Sequence, residues 1–219
     1  MIDKISTVLF DLDGTLLDTT PDFLAIINAL RFDKELPSLA RPDFEHAVAL
    51  GTDKMLSIGL GVHQNDADYA EQRQAFLNDY ANHPNRFTTP FPGILDLLSY
   101  IELNGLRWGI VTNKIQRFTI PLLTQQGLIS RISALVCGDS VKEHKPHPEP
   151  LLHACQLLDC DPKHCVYIGD TQNDILAGKA AGMKTAAATW GFIPTTEILA
   201  QWNADIVLSH PHELKQFIA

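Results

Sequence analysis

Past residue 105 the chain repeats one pattern: a short apolar, β-rich run, then a helix-length stretch, then another short run. The runs are Trp108 to Thr112, Ala134 to Cys137, Cys165 to Ile168, Lys184 to Ala188 and Asp205 to Leu208. Between them lie helical stretches at about 116–126, 148–158 and 172–181, and a further one at 94–103 precedes the series. Strands too short to alternate, separated by helices, bury both faces and join through crossovers, so the pattern predicts βαβ units and a parallel sheet with helices on both faces. A run of the same kind, Ser6 to Phe10, stands far upstream. The residues between carry helical periodicity broken by Pro37, Pro42, Gly51, Gly59 and Gly61, with no alternating strand. Thr20-Pro21 reads there as an N-cap followed by a first-turn proline, with Leu24, Ile27 and Leu30 at helical spacing. The predicted fold is therefore α/β, a Rossmann-like parallel core formed by residues 1–15 and 90–219 that carries an inserted all-helical segment, 16–89.

Charge narrows the partners. Lys and Arg number 17 against 26 Asp and Glu, a net −9 with no basic stripe, which argues against nucleic acid. Apolar residues at 45% and charged ones at 20% are an ordinary globular balance. The segment Met1-Ile2-Asp3-Lys4 has no basic or long apolar character and no window reaches a membrane-spanning length, so neither a leader nor a membrane partner is expected. Cys137, Cys155, Cys160 and Cys165 include no C-x-x-C and sit mostly in or beside apolar runs, which reads as reduced core thiols and a cytoplasmic location.

In open parallel sheets ligands bind outside the carboxyl ends of the strands, and polar residues gather at those ends here. The first run ends in Asp11 and Asp13 followed by Gly14, the second in Thr112-Asn113, a later loop holds Lys145-Pro146, and Cys165–Ile168 leads to Gly169-Asp170 with Asp174 one turn on. Carboxylates brought together in a crevice repel unless a cation lies between them, and all-oxygen donors suit Mg²⁺ where no Cys/His pair near these positions has a spacing that suits zinc. Asp11 as nucleophile, Asp13 as acid and base, Thr112 and Asn113 as neutral phosphate donors and Lys145 as fixed positive charge are the ingredients of phosphoryl transfer. Lys114 and Arg117 follow the second run, where substrate contact and a solvated helix face are both open. His144 and His147 bracket Lys145-Pro146 as a surface loop. In the helical segment, Gly51, Thr52 and Lys54, with His46 nearby, are either substrate contacts or an ordinary helix-to-helix turn.

Val8-Leu9-Phe10-Asp11-Leu12-Asp13-Gly14-Thr15-Leu16, Val111-Thr112-Asn113, Lys145-Pro146 and Gly169-Asp170-Thr171-Gln172-Asn173-Asp174 resemble, in order, the four motifs of the haloacid dehalogenase superfamily. The second Asp favours its phosphatase branch, and the helical insertion resembles the type 1 cap of the phosphoglycolate phosphatase-like group. Asp18-Thr19-Thr20-Pro21-Asp22-Phe23, Thr112-Asn113-Lys114 and the stretch from Lys145 to Leu151 strengthen that likeness. The resemblance implies an aspartyl-phosphate on Asp11, proton transfer by Asp13, and Lys145 holding Asp11 and the phosphate together. It also implies Mg²⁺ bound by the Asp11 carboxylate, the Asp13 main-chain carbonyl and Asp170, with Asp174 acting through water. The implied substrate is a small phosphorylated metabolite, 2-phosphoglycolate first, with N-acetylmuramic acid 6-phosphate or another sugar phosphate as the alternative. A phosphosugar mutase and a non-enzymatic binding module are more distant readings.

Overall fold

The computed structural model describes residues 5–83, 85–192 and 196–218; the segment Met1 to Lys4, used above for the absence of a leader, lies outside them. In chain order the elements begin with β1 (Thr7–Phe10), β2 (Leu17–Asp18), α1 (Thr20–Asp33), α2 (Arg41–Ala49), α3 (Thr52–Leu60), α4 (Tyr69–Asn82), β3 (Thr89–Pro90), α5 (Ile94–Leu103) and β4 (Arg107–Val111). They continue with α6 (Gln116–Gln125), β5 (Ala134–Val136), α7 (Glu149–Leu158), β6 (Cys165–Gly169), α8 (Gln172–Ala180), β7 (Lys184–Ala188), α9 (Thr196–Trp202), β8 (Ile206–Leu208) and α10 (Lys215–Ile218). Among the described residues one sheet has the order β5-β4-β1-β6-β7-β8, and β2 and β3 pair as a separate two-stranded sheet. Every neighbouring pair in the larger sheet is parallel.

The strand that comes first in the chain thus lies inside the sheet, with β4 on one side and β6 on the other. Successive side chains of a strand point to opposite faces, and both faces here are covered. Val8 and Phe10 enter one core with Trp108, Ile110, Val166 and Ile168, while Leu9 enters the other with Val111, Val136 and Tyr167. That is why β1 reads as an unbroken apolar run. Since β1, β4 and β6 run parallel and in register, Asp11, Thr112 and Asp170 all leave the sheet at the same edge.

The chain folds into two compact units, Met1–Leu17 with Pro90–Ala219, and Asp18–Thr89. The second unit holds α1 to α4 around Phe23, Ile27, Phe44, Leu56, Phe76 and Tyr80, all buried. Phe23 packs on both Phe76 and Tyr80, with ring centroids 5.9 and 4.8 Å apart. Helix α1 begins one residue earlier than the sequence pattern suggests. Thr20 is its first residue and Thr19 its cap, without a side-chain capping bond. Proline is tolerated anywhere in the first turn, where an N–H would lack a helical partner anyway, so Thr20-Pro21 fits inside the helix as well as at its border. The helical segment is tied together at its ends by Asp22. Its buried carboxylate accepts from the backbone N–H groups of Phe87 and Thr88, each at 3.0 Å, and from the Thr88 hydroxyl. Replacing Asp22 with Ala should cost about 2–4 kcal/mol, because the buried Thr88 N–H and hydroxyl and the partly buried Phe87 N–H lose a charged acceptor. Chemical denaturation should show this as a lower midpoint, and an unchanged midpoint would reject it. No helix among the described residues is long and apolar enough to cross a membrane.

Candidate active site

Asp11 is the first residue after β1, and its backbone N–H still bonds to the Ile168 carbonyl of β6 at 2.8 Å. Asp170 follows β6 in the same way, and Asp174 lies in the first turn of α8. Lys145, brought in from the loop between β5 and α7 and preceding a cis proline, is buried beneath them. Its ammonium donates to the Val111 carbonyl at 3.1 Å, the Tyr167 hydroxyl at 2.8 Å and Asp174 Oδ1 at 2.7 Å, and it lies 2.9 Å from Asp11 Oδ1. An ammonium has three hydrogens. Four oxygens surround these three hydrogens, so the ammonium is fully used by Val111, Tyr167, Asp174 and Asp11. Asp174 is well held: Oδ1 also lies 3.0 Å from the Tyr167 hydroxyl, whose one hydrogen it shares with the Val111 carbonyl at 2.8 Å, and Oδ2 accepts from the Thr171 N–H at 3.0 Å and hydroxyl at 2.6 Å. Asp170 is held by the Thr15 hydroxyl at 2.8 Å and the Phe192 N–H at 3.2 Å.

Asp11, Asp170 and Asp174 are all buried, and a carboxylate oxygen of each lies within 4.8 Å of the others. The Lys145 ammonium faces two of these three carboxylates, Asp11 and Asp174. Burial pushes the Asp11 carboxyl up to about 6, with Lys145 pulling against it and Asp174 adding to it. Burial and then the charges of Asp11 and Asp174 push Asp170 well above the usual carboxylate range. Burial draws Lys145 down, but Asp11 and Asp174 outweigh it and its pKa rises. A cluster of hard oxygen donors short of positive charge fits Mg²⁺. Asp11 and Asp170 have lone pairs to give, whereas Asp174 could ligate directly only by surrendering its hydrogen bonds.

Residues 8–188 match the family model for haloacid dehalogenase-like hydrolases. The chain belongs to this family. Among its relatives, an N-acetylmuramic acid 6-phosphate phosphatase of Pseudomonas aeruginosa is 42% identical over 96% of this chain and 93% of that one. A phosphoglycolate phosphatase of Xanthomonas campestris pv. campestris is 38% identical over 94% of this chain and 93% of its own. The crystal structure of a predicted phosphoglycolate phosphatase from Haemophilus somnus superposes with a TM-score of 0.86 at 25% identity, covering 98% of each chain.

In this haloacid dehalogenase-like hydrolase several side chains sit differently from their sequence-based reading. Asn113 spends part of its amide on the chain: Oδ1 accepts from the Lys145 N–H at 3.1 Å and Nδ2 donates one of its two hydrogens to the Lys145 carbonyl at 3.2 Å, leaving the other. It fixes the lysine loop to the end of β4. Thr112 is buried, and its hydroxyl accepts from the Lys114 N–H at 3.2 Å. Neither residue caps α6, whose cap is Ile115 and whose Gln116 N–H bonds Asp139 at 2.8 Å. Lys114 is not on a solvated helix face. It lies in the β4–α6 loop with its side chain 7% exposed, and its ammonium bonds both oxygens of Asp13 at 3.0 and 3.2 Å. Arg117 is exposed and stacks on Phe118. His144 and His147 are exposed loop residues. Gly51, Thr52 and Lys54 lie in the helical unit at the start of α3, Gly51 with a left-handed φ of 85° and open space around it, and His46 is exposed on α2.

Sequence reasoning missed Tyr167 and Thr15. A tyrosine inside an apolar strand reads as packing, and only the structure shows its hydroxyl shared between Lys145, Asp174 and the Val111 carbonyl. Gly14 has a reason beyond its φ of +84°: a Cβ there would overlap the Asp170 carboxylate and the Phe192 ring. Two predictions arise here. Lys114→Met frees the Asp13 carboxylate from its anchor and should lower kcat by roughly 10- to 100-fold, part of what general acid–base catalysis supplies, with Lys114→Arg recovering some of it. Equal kcat in all three proteins would reject an anchoring role. The second concerns the metal. Because Asp11 titrates near 6 when folded and at 3.8 otherwise, the metal-free protein loses stability as pH rises through that window. Mg²⁺ binds the deprotonated form, so its shift of the melting temperature should grow from about pH 5 to about pH 8. A shift independent of pH would be inconsistent with Mg²⁺ at this cluster.

Proposed function

We propose that this hydrolase is a cytoplasmic Mg²⁺-dependent phosphomonoesterase that passes through an aspartyl-phosphate on Asp11. The observation that carries this reading is the Asp11 carboxylate at the end of β1, one oxygen of which lies 2.9 Å from the buried Lys145 ammonium, with Asp170 and Thr112 leaving the sheet beside it. With one oxygen held against the ammonium, the other is left for attack, and the adjacent charge offsets what develops on the phosphoryl group. Asp11 forms its bond to phosphorus as the ester P–O bond breaks, and Asp13 gives the leaving alkoxide a proton. Asp13 then takes a proton from water, whose oxygen bonds to phosphorus as the Asp11–phosphorus bond breaks, releasing inorganic phosphate. Lys145 keeps its charge throughout, and Thr112 can donate to a phosphoryl oxygen while still accepting from Lys114. Mg²⁺, held by Asp11, Asp170 and the Asp13 main-chain carbonyl with Asp174 acting through water, would supply further positive charge toward the phosphoryl oxygens.

The substrate is a small phosphorylated metabolite. The 42% identity to an N-acetylmuramic acid 6-phosphate phosphatase supports that sugar phosphate as the first to test, and the 38% identity to a phosphoglycolate phosphatase supports 2-phosphoglycolate as the second. The sequence reading ordered them the other way. The helical unit, as a cap, is assigned substrate selection, with Gly51, Thr52 and Lys54 as contacts. The test is kcat/KM of the purified protein with Mg²⁺ on both compounds and on a panel of unrelated esters, following inorganic phosphate. One of the two should stand at least about tenfold above the panel, a difference of about 1.4 kcal/mol in transition-state binding. Comparable values across the panel would overturn the substrate assignment. Transfer of the phosphoryl group to a second sugar without phosphate release would favour a mutase.

A further inference from the structure

Three of the four cysteines meet at the opposite edge of the sheet from Asp11. Cys155 lies in the last turns of α7, Cys160 just after it, and Cys165 is the first residue of β6. Asp159 closes α7 in a left-handed conformation, φ 46°, which turns the chain so that the Cys160 N–H bonds the Cys155 carbonyl at 3.1 Å. Cys165 Sγ then lies 3.8 Å from Cys155 Sγ, 3.6 Å from Cys160 Sγ and 3.4 Å from the Asp161 carbonyl. All three sulfurs are within 4.8 Å of one another. We propose that these three thiols are a binding site for a soft divalent d¹⁰ cation of the Zn²⁺ class, which would tie the end of α7 to the start of β6.

The spacing carries the argument. An ion bound to sulfur at about 2.3 Å with tetrahedral angles holds its sulfurs about 3.8 Å apart, so these need to move little. A disulfide would need a separation of about 2.05 Å and would leave the third thiol out. Access exists: a surface cavity of about 500 Å³ is lined by Cys155 and Cys160 together with Gln156, Asp159 and Asp161. Cys160 is half-buried, and it and Cys155 line this cavity beside Asp159 and Asp161. On binding, each thiol releases its proton to solvent as its sulfur–metal bond forms. Three thiolates around a divalent ion carry a net −1, against −2 around a monovalent one, and a buried site tolerates the smaller charge better. Cys155 is the thiol placed to ionise first, its pKa lowered mainly by the neighbouring Cys165. The site is independent of the catalytic one, since the five residues of β6 set Cys165 roughly 16 Å from Asp170 at about 3.3 Å per residue.

The test titrates the reduced full-length protein with Zn²⁺ against a chromophoric chelator, and separately with Co²⁺. One equivalent of Zn²⁺ should bind with a submicromolar Kd. Co²⁺ should give thiolate-to-metal charge-transfer absorption, which the carboxylate cluster cannot produce. Cys160→Ser should weaken Zn²⁺ binding by roughly tenfold or more and diminish that absorption, as expected for loss of one ligand of three. Without any substitution, Zn²⁺ should protect Cys155, Cys160 and Cys165 from alkylation, read by peptide mass. Absence of charge-transfer absorption, equal Zn²⁺ affinity in Cys160→Ser, or no protection of these thiols would each overturn the proposal and leave packed thiols only. Phosphatase activity with Mg²⁺ should be the same in Cys160→Ser and the parent protein.

Discussion

Asp11→Asn should reduce turnover by at least about 10⁴-fold while leaving the fold intact, or even raising its melting temperature in the absence of metal. The two halves of this expectation have one origin. An amide has the shape of the carboxylate but lacks the nucleophilic oxygen, so no covalent phosphoryl intermediate can form. It also removes an ionised group that the fold holds at a cost: burial and Asp174 raise the Asp11 pKa to about 6 despite the neighbouring Lys145. Above that pH the folded state carries a charge that solvent would hold more comfortably, and Asn relieves it. Function is held here against stability, as is common where a site keeps reactive charges together. Phosphate release and thermal unfolding of the metal-free proteins at about pH 7.5 check both halves. Appreciable activity in the variant would remove Asp11 from the nucleophile's role, and a marked fall in melting temperature would contradict the electrostatic account.

Much of this frame could be read before any coordinates, for reasons specific to its parts. The runs Val8–Phe10 and Cys165–Ile168 are short and wholly apolar because their strands are covered on both faces, and a polar residue just beyond such a run has few places to go but the sheet edge. That reasoning brings Asp11 and Asp170 together without knowledge of strand order. It does not reach Lys114, whose pairing with Asp13 depends on β4 lying beside β1 in the sheet, a contact 101 residues apart in sequence. It is incomplete for Asn113, because an amide at a strand end can serve a ligand, the backbone or both, and here the backbone of Lys145 takes its oxygen and one of its two hydrogens. Tyr167 is hidden for a third reason: its ring belongs to the apolar core and only its hydroxyl to the site. The cysteines, read one by one as core residues, show their meeting only once α7 has been closed by Asp159.

Lys145→Met should behave oppositely to Asp11→Asn, losing stability and activity together. The substitution keeps the unbranched stem but takes the charge from between Asp11 and Asp174, and leaves the Val111 carbonyl and Asp174 each short of a donor. Removing one partner from a buried ionic cluster typically costs about 3–5 kcal/mol, far more than an intact cluster contributes over an apolar replacement. Activity should fall by about 10²–10³-fold or more, the scale of losing one preorganised electrostatic partner of the transition state. The stability deficit should depend on pH. With the ammonium gone, the Asp11 pKa rises above its value of about 6, so the deficit is full above that range and shrinks as pH falls and the carboxyl protonates. A second substitution separates charge from packing. Asp174→Asn in the Lys145→Met background removes one of the stranded carboxylates, and should recover a substantial part of the lost stability while recovering no activity. Denaturation midpoints of the four proteins, taken at about pH 5 and about pH 8, form the cycle. If Lys145→Met proved as stable as the parent at both pH values, the ammonium would not be what balances the carboxylates at the end of β1, and the charge-based account of this site would fall with it.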